Sequence, residues 1–337
     1  MECTRPQNAF APIEALLYGA AIARMLLAAT ELGVFAHLED GPLPAGELAA
    51  RTGSLPQRLE PLLDTLAARG VLARVEGGYA NSPAASEYLV AGKPLFQGSA
   101  MALVGHFTDT FNDNLTGQLR HETDARGHVD AGWAMEAIMD GTLGHALTGA
   151  LYRVTRFATA LPGFAAMDAL CDVGGNHGAY SMALLDANPG LSATILDLPP
   201  VVPLSLKRCR ELGYGARLGA RAFDLRTDSL PEAAYDLVLT SHVLYGAAGD
   251  LDAAIARLAA GLRPGGWLLS HHFAPGEREA GIEACHQCMT RLAGYPTHFF
   301  ARQHLESAMA RAGLGNFRAD APIPPLGGGL ILAGQKP

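Results

Sequence analysis

The residues with the plainest chemical potential form one run, Asp172-Val173-Gly174-Gly175-Asn176-His177-Gly178, with Asp197 nineteen residues beyond its end. Glycines in such a turn let a ligand approach the backbone, and a following helix offers unpaired N–H groups at its start. A carboxylate at the end of the next strand accepts the two hydroxyls of an adenosine ribose. The glycine turn alone is a weak signal. Paired with Asp197 it is far more specific, and it points to an adenosine-bearing ligand, a nicotinamide dinucleotide among the candidates.

The elements that must position this pair follow from residue 169 onward. Apolar runs at 169–173, 193–196, 236–240, 267–270 and 330–333 read as strands, and amphipathic stretches at 179–188, 202–212, 250–262 and 303–312 read as helices. Alternation of this kind builds a doubly wound, mostly parallel sheet covered on both faces. Its ligand sits at the carboxyl ends of the strands, at the switch point.

The preceding chain is of another kind. Short helices at 45–51 and 56–69, the latter capped by Ser54 and ended by Gly70, lead to a hairpin around Gly77-Gly78, which together read as a winged-helix-like unit. The helix at 56–69 pairs Arg58 and Arg69 with Glu60 and Asp64, so it lacks the basic face of a DNA reader. Residues 95–157 read as helical, and Asn112, Asn114, His121 and His128 there are weak pocket candidates. The expected division is 1–94 for the winged-helix-like unit, 95–160 for a helical connector or lid, and 161–337 for the α/β domain.

Bulk properties narrow the function. A chain of 337 residues carrying 49% hydrophobic and 17% charged residues is an ordinary globular protein, and its net charge of −8 disfavours nucleic acid as the partner. The apolar stretch 15–34 is interrupted by Arg24 and Glu31, which argues against a membrane span. Five scattered cysteines and no secretory leader suggest a cytoplasmic protein with reduced thiols. Cys285 and Cys288, one helical turn apart, supply half a tetrahedral site at most, so no metal is expected and both read as core or pocket-lining side chains.

The run Asp172–Gly178 followed by Asp197-Leu198-Pro199-Pro200-Val201 resembles the fingerprint of the S-adenosylmethionine-dependent small-molecule O-methyltransferases, D-V-G-G-G-x-G and then D-L-P-x-V. Phe223-Asp224-Leu225 and the turn and strand Leu262 to Leu269 extend the likeness, and the N-terminal unit is similar to that family's dimerisation domain. The resemblance implies a class I, Rossmann-like methyltransferase fold, S-adenosylmethionine as cofactor and a homodimer formed through the N-terminal domain. It implies that Asp172, Gly174, Gly175, Asn176 and Gly178 cradle the methionine part. Asp197 and Leu198 would hold the ribose, Asp224 and Leu225 the adenine, and Ser241 and His242 would border the reacting centre. Tyr180 would face the sulfonium or pack on the sheet.

One motif departs from the family. Where V-L-H-D-W supplies a catalytic base, this chain reads Val243-Leu244-Tyr245-Gly246-Ala247. A phenol with a pKa near 10 is a poor base at neutral pH. Tyr245 is therefore expected to orient a neighbour by hydrogen bonding, with His271, His272 or His286 as replacement base. The leading expectation is methyl transfer to oxygen, nitrogen or carbon of a small metabolite in secondary metabolism. Bacteriochlorophyllide carbon methyltransferases, which the chain also resembles, appear as one precedent for a tyrosine here. The alternatives are a non-methylating use of the same donor, such as ring closure to azetidine-2-carboxylate with release of methylthioadenosine, and a ligand-binding regulator.

Overall fold

A computed structural model describes residues 5, 7–121, 125–295, 299–320 and 329–337. They pack as two compact units, Met1–Gly105 and His106–Pro337.

The first unit begins with α1 (Ala11–Glu31), α2 (Val34–His37), α3 (Ala45–Thr52) and α4 (Pro56–Ala68). The antiparallel hairpin of β1 (Leu72–Val75) and β2 (Gly78–Asn81) follows, and then α5 (Pro83–Tyr88). Phe35, Leu48, Leu59, Leu63 and Leu66 form its core, because the leucines of α4 recur on one face. Gly70, at φ 71, ends α4 as its sequence predicts. The cap at the other end of α4 differs from expectation. Leu55 occupies the cap position and Pro56 opens the helix, while the Ser54 hydroxyl takes a 2.9 Å hydrogen bond from Thr52 instead. α1 is one continuous apolar helix on which Ile13, Leu16, Leu17 and Tyr18 are exposed.

The second unit takes in α7 (Ala125–Gly132), α8 (Glu136–Leu147) and α9 (Ala150–Thr159), reached through α6 (Gly98–Arg120), before its sheet begins. Of the four polar residues singled out in this stretch, Asn114 and His121 are exposed, and the side chains of Asn112 and His128 lie outside the described residues. β3 (Ala169–Val173), α10 (Ala179–Ala187), β4 (Ser192–Asp197), α11 (Val202–Glu211), β5 (Leu218–Ala222), β6 (Tyr235–Ser241), α12 (Leu251–Ala260), β7 (Leu262–His272), α13 (Ala280–Leu292), α14 (Arg302–Arg311), β8 (Gly315–Asp320) and β9 (Leu330–Gln335) complete the unit.

The strands form one seven-stranded sheet in the order β5-β4-β3-β6-β7-β9-β8, parallel except where β9 runs against β7 and β8. Successive side chains of a strand serve opposite faces, so Leu237, Leu239, Trp267 and Leu269 pack under one helical layer, and Val238 and Leu268 under the other. The winding reverses between β3 and β6. That junction is the switch point: the turn from Asp172 to Gly178 and the segment from Ser241 to Tyr245 follow its two strands, Asp197 ends the adjacent β4, and Asp224 and Leu225 follow the edge strand β5.

Candidate active site

The corner after β3 tolerates little but glycine. Gly174 and Gly178 sit at φ 70 and 72, and a Cβ on Gly174 would stand 2.5 Å from the Val243 side chain. A Cβ on Gly175 would stand 2.7 Å from the Asp172 carboxyl carbon. Gly174→Ala is therefore expected to cost about 1–2 kcal/mol from the left-handed backbone alone. Differential scanning calorimetry would register this as a lower Tm; an unchanged Tm would contradict the fit.

Asn176 replaces the middle glycine of the turn and still accepts its positive φ of 39, as asparagine does more readily than most residues. Its N–H donates to Asp197 Oδ2 at 2.9 Å, and its carbonyl accepts the Ser205 hydroxyl at 2.6 Å. Its side chain reaches α8, where the Thr142 hydroxyl donates to Oδ1 at 3.4 Å. α8 is itself pinned to α11 by Lys207 on Glu136 at 2.6 Å and by Arg208 on Asp140.

Two carboxylates lie beneath this corner. Asp172 is fully buried and accepts the Ser181 hydroxyl at 2.7 Å; burial, with Asp197 nearby, pushes it up to about 7. Asp197, at the end of β4, accepts from Asn176 N–H and, at 2.8 Å, from Leu198 N–H, yet burial still lifts it to about 6. Desolvation thus outweighs the two donors, and both acids would be relieved by a cationic ligand or by further donors.

Asp224 lies in the loop after β5, where the likeness sets the adenine. Arg226 Nε and Nη2 each donate to it at 2.8 Å, and this ion pair holds the carboxylate below the usual range. Arg226 also donates to Asp130 of α7 at 2.7 Å. An adenine amino group would have to share Asp224 with this guanidinium. Leu225 is buried beside it.

The ends of β6 and β7 gather most of the remaining candidates. His242 takes a φ of 53 and donates its N–H to the His271 carbonyl at 2.9 Å, so a strained turn carries this imidazole. Its Nδ1 lies 2.8 Å from the Tyr245 hydroxyl, which also accepts the Phe273 N–H at 2.9 Å. Burial raises the Tyr245 pKa far above that of an ordinary phenol, so it stays protonated and is no base. Ser241 pairs with His271 Nδ1 at 3.0 Å and His272 Nδ1 with Ser270 at 2.9 Å, both rings being fully buried. Tyr180 is buried in the core beneath the sheet, its ring 5.8 Å from that of His177.

α13 brings its residues differently from expectation. His286 is half-buried and packs its ring 5.7 Å from that of Phe273. Cys285 and Cys288, expected in the core or a pocket, are exposed instead. The inward side of this amphipathic helix carries His286, Met289 and Thr290, which turns both thiols outward. Sequence reasoning missed His145 of α8 and Arg278, which join the same cluster. Arg278 Nη1 lies 3.4 Å from His286 Nε2, and its Nη2 lies 3.5 Å from His145 Nε2. Burial first, and then Arg278, push His145 down to about 4, so it is neutral. The small faces Gly141 and Gly144 beside His145 were the only sequence hint.

Comparison with known proteins accounts for both units. Residues 15–91 match the O-methyltransferase dimerisation domain, and residues 151–286 match the O-methyltransferase domain. The chain is 32% identical over 262 residues to the tetracenomycin polyketide synthesis 8-O-methyl transferase TcmO of Streptomyces glaucescens, covering 73% of each protein. It is 32% identical over 254 residues to the bacteriochlorophyllide d C-20 methyltransferase of Chlorobaculum tepidum, covering 72% of each. Its fold matches human N-acetylserotonin methyltransferase, solved in complex with S-adenosylmethionine, with a TM-score of 0.74 and 21% identity over 100% of this chain and 99% of that one.

Proposed function

The chain belongs to the S-adenosylmethionine-dependent O-methyltransferase family, and from that premise we propose that it methylates a small metabolite whose proton is taken by His242, with Tyr245 as the residue that positions the imidazole. The observation that carries this reading is the 2.8 Å contact between His242 Nδ1 and a phenol that is itself fixed by the Phe273 N–H.

The residues of the glycine corner fit S-adenosylmethionine. The glycines let the corner close against Val243 and Asp172 and leave its backbone uncovered by side chains of their own, two desolvated carboxylates favour a positive charge, and Asp197 still has lone pairs for the ribose hydroxyls. Bound there, the donor supplies a methyl carbon on a sulfonium, whose thioether is a good leaving group. Asp224 and Leu225 serve the adenine, Asp224 while held by Arg226. Phe273, Phe299 and Phe300 are all buried, and their rings keep water from the reacting atoms. In the tautomer whose Nδ1–H donates to the Tyr245 oxygen, the basic lone pair of His242 is on Nε2, and this form takes the proton from the acceptor. His271 and His272 pair Nδ1 with Ser241 and Ser270, are fully buried, and serve as packing partners of this ring.

Affinity for S-adenosylhomocysteine should depend on pH through Asp197. Its carboxyl titrates near 6 in the unliganded protein, and the ionised form is the one that accepts ribose hydroxyls. The Asp197 contribution should therefore level off above pH 7 and weaken as pH falls through 6, by at most about tenfold per unit for its one proton, with Asp172, pushed up to about 7, adding a second proton in the same range. Calorimetric titrations between pH 5 and 8 check this, and an affinity that rises with acidification would contradict it.

The N-terminal unit is proposed to pair two copies. The exposed apolar residues of α1 lie in or beside the segment that matches the dimerisation domain, and a second copy is the covering they require. This helix has the length and, at a mean hydropathy of 1.5, the apolarity to cross a membrane, but Glu14 and Arg24 lie within it. Light scattering that finds a monomer at micromolar concentration would contradict pairing. A cytoplasmic location is supported by the free thiols of Cys171, Cys209, Cys285 and Cys288.

Product analysis tests the reaction itself. Purified protein is incubated with S-adenosylmethionine alone and with cell extract, and adenosyl products are identified by mass spectrometry. S-adenosylhomocysteine formed only with extract is the expected result. Methylthioadenosine formed without any acceptor would show ring closure of the donor and overturn methyl transfer.

A further inference from the structure

Arg278 is a cation in an unusual setting. It lies half-buried between β7 and α13, and among the described residues it makes no ion pair with a carboxylate. The acids nearest in sequence are each committed to backbone donors. Glu277 accepts from Ala274 N–H at 3.2 Å and Gly329 N–H at 2.7 Å, Glu279 caps α13, and Glu283 accepts from Gly276 N–H at 2.8 Å. The guanidinium instead lies flat on Phe273, its carbon 4.1 Å from the ring centre, between His145 and His286. Burial drives both imidazoles toward the neutral form, so neither is a second cation competing for the same counter-ion.

Glu277 acts on this partly desolvated guanidinium electrostatically but is not in direct contact with it among the described residues, and a planar oxyanion that meets the fork is the natural complement. The two histidine contacts, at 3.4 and 3.5 Å, are long for hydrogen bonds and give way to a stronger acceptor. The position is informative too. Phe273, which carries the guanidinium on its ring, also packs 4.3 Å from His242 and 5.6 Å from Phe299. One aromatic ring therefore separates the cation from the imidazole that handles the acceptor's proton.

We propose that Arg278 recognises a carboxylate on the methyl acceptor, making the substrate class a hydroxylated aromatic acid whose hydroxyl faces His242 while its carboxylate meets Arg278. This rests on the reading of the cluster as the acceptor side of a methyltransferase. Beside His242, Tyr245 stacks on Phe300 and Phe273 packs on Phe299, an aromatic cluster whose chemistry suits a flat acceptor.

The test uses the full chain saturated with S-adenosylhomocysteine, titrated by calorimetry with two matched pairs: 3-hydroxy-2-naphthoate against 3-hydroxy-2-naphthamide, and 3-hydroxybenzoate against 3-hydroxybenzamide. The acid is expected to bind at least about tenfold tighter than its amide in one pair or both, as a charge-assisted pair adds more than a neutral hydrogen bond. Arg278→Gln should erase that preference, and Arg278→Lys, which keeps the charge and loses the fork, should reduce it. Acids binding no better than amides in wild-type protein, absence of binding by all four included, overturns the proposal. So does a preference that survives Arg278→Gln or is unchanged in Arg278→Lys.

The preceding titration of S-adenosylhomocysteine reads the donor site separately. Its failure in wild-type protein sinks the methyltransferase reading, whereas its success without an acid preference sinks only the role of Arg278. A further arm compares S-adenosylhomocysteine with 5′-methylthioadenosine, which lacks a carboxylate. If Arg278→Gln weakens the first and spares the second, the guanidinium holds the donor's own carboxylate and the acceptor assignment is overturned.

Discussion

His242→Asn is expected to lower kcat by about 10²–10⁴-fold, the range that a positioned acid–base group contributes. Asparagine is the informative replacement because it tolerates the φ of 53 found there, which alanine does not do as readily. Donor affinity should change little, so the loss should fall on kcat. Tyr245→Phe should act through the same imidazole. It removes the partner of Nδ1 and leaves the buried Phe273 N–H without this acceptor, at a stability cost of about 1–3 kcal/mol. A positioning role predicts a shifted pH–rate profile in Tyr245→Phe, and in His242→Asn the loss of the fall in rate at low pH that protonation of the base causes. Steady-state kinetics across pH would contradict the assignment if both variants kept the wild-type profile and kcat.

Asp197→Ala is expected to weaken S-adenosylhomocysteine binding at least about a hundredfold. Hydrogen bonds to a charged group contribute about 1.5–3 kcal/mol each, and two ribose hydroxyls lose theirs together. The carboxylate also organises the corner, since Asn176 N–H and Leu198 N–H both donate to it. Part of the loss is therefore expected as a looser turn. The melting temperature without ligand measures that part, and calorimetric titration measures the whole. An affinity within threefold of wild type would remove Asp197 from the site.

Much of this arrangement was legible in the residues, and the parts that were not share a physical cause. Buried central strands announce themselves by continuous apolar runs, which is why β3, β4, β6, β7 and β9 were readable. β5 and β8 were not, because both are edge strands whose outer residues face solvent and need no apolar run. The glycine corner was readable because a positive φ and a close approach leave few choices of residue. Ser54 illustrates the reverse case: serine before a helix is a good cap signal, but Pro56 moves the helix start past it. Cys285 and Cys288 were placed inward because cysteine is usually buried, whereas the packing of α13 decides which stripe faces in.

The catalytic cluster was legible only in part. That Tyr245 orients a neighbour is an expectation from phenol chemistry, and its contact with His242 did not follow from sequence spacing. His242 and Tyr245 meet because the left-handed turn at His242, just before the 3-10 turn that starts at Leu244, folds the chain back after β6. Arg278 and His145 are 133 residues apart in the chain, and no periodicity links a loop after β7 to a helix before the sheet. Asp224 could have been read more fully, since Arg226 two residues later is an obvious local partner.

A crystal structure of the chain with S-adenosylhomocysteine tests the central claim most directly. The account predicts the amino-acid part of the ligand over Gly174, its ribose hydroxyls within hydrogen-bonding distance of the Asp197 carboxylate, and its sulfur turned toward the side occupied by His242 and Tyr245. Density for the ligand elsewhere, or a ribose that makes no contact with Asp197, would contradict it.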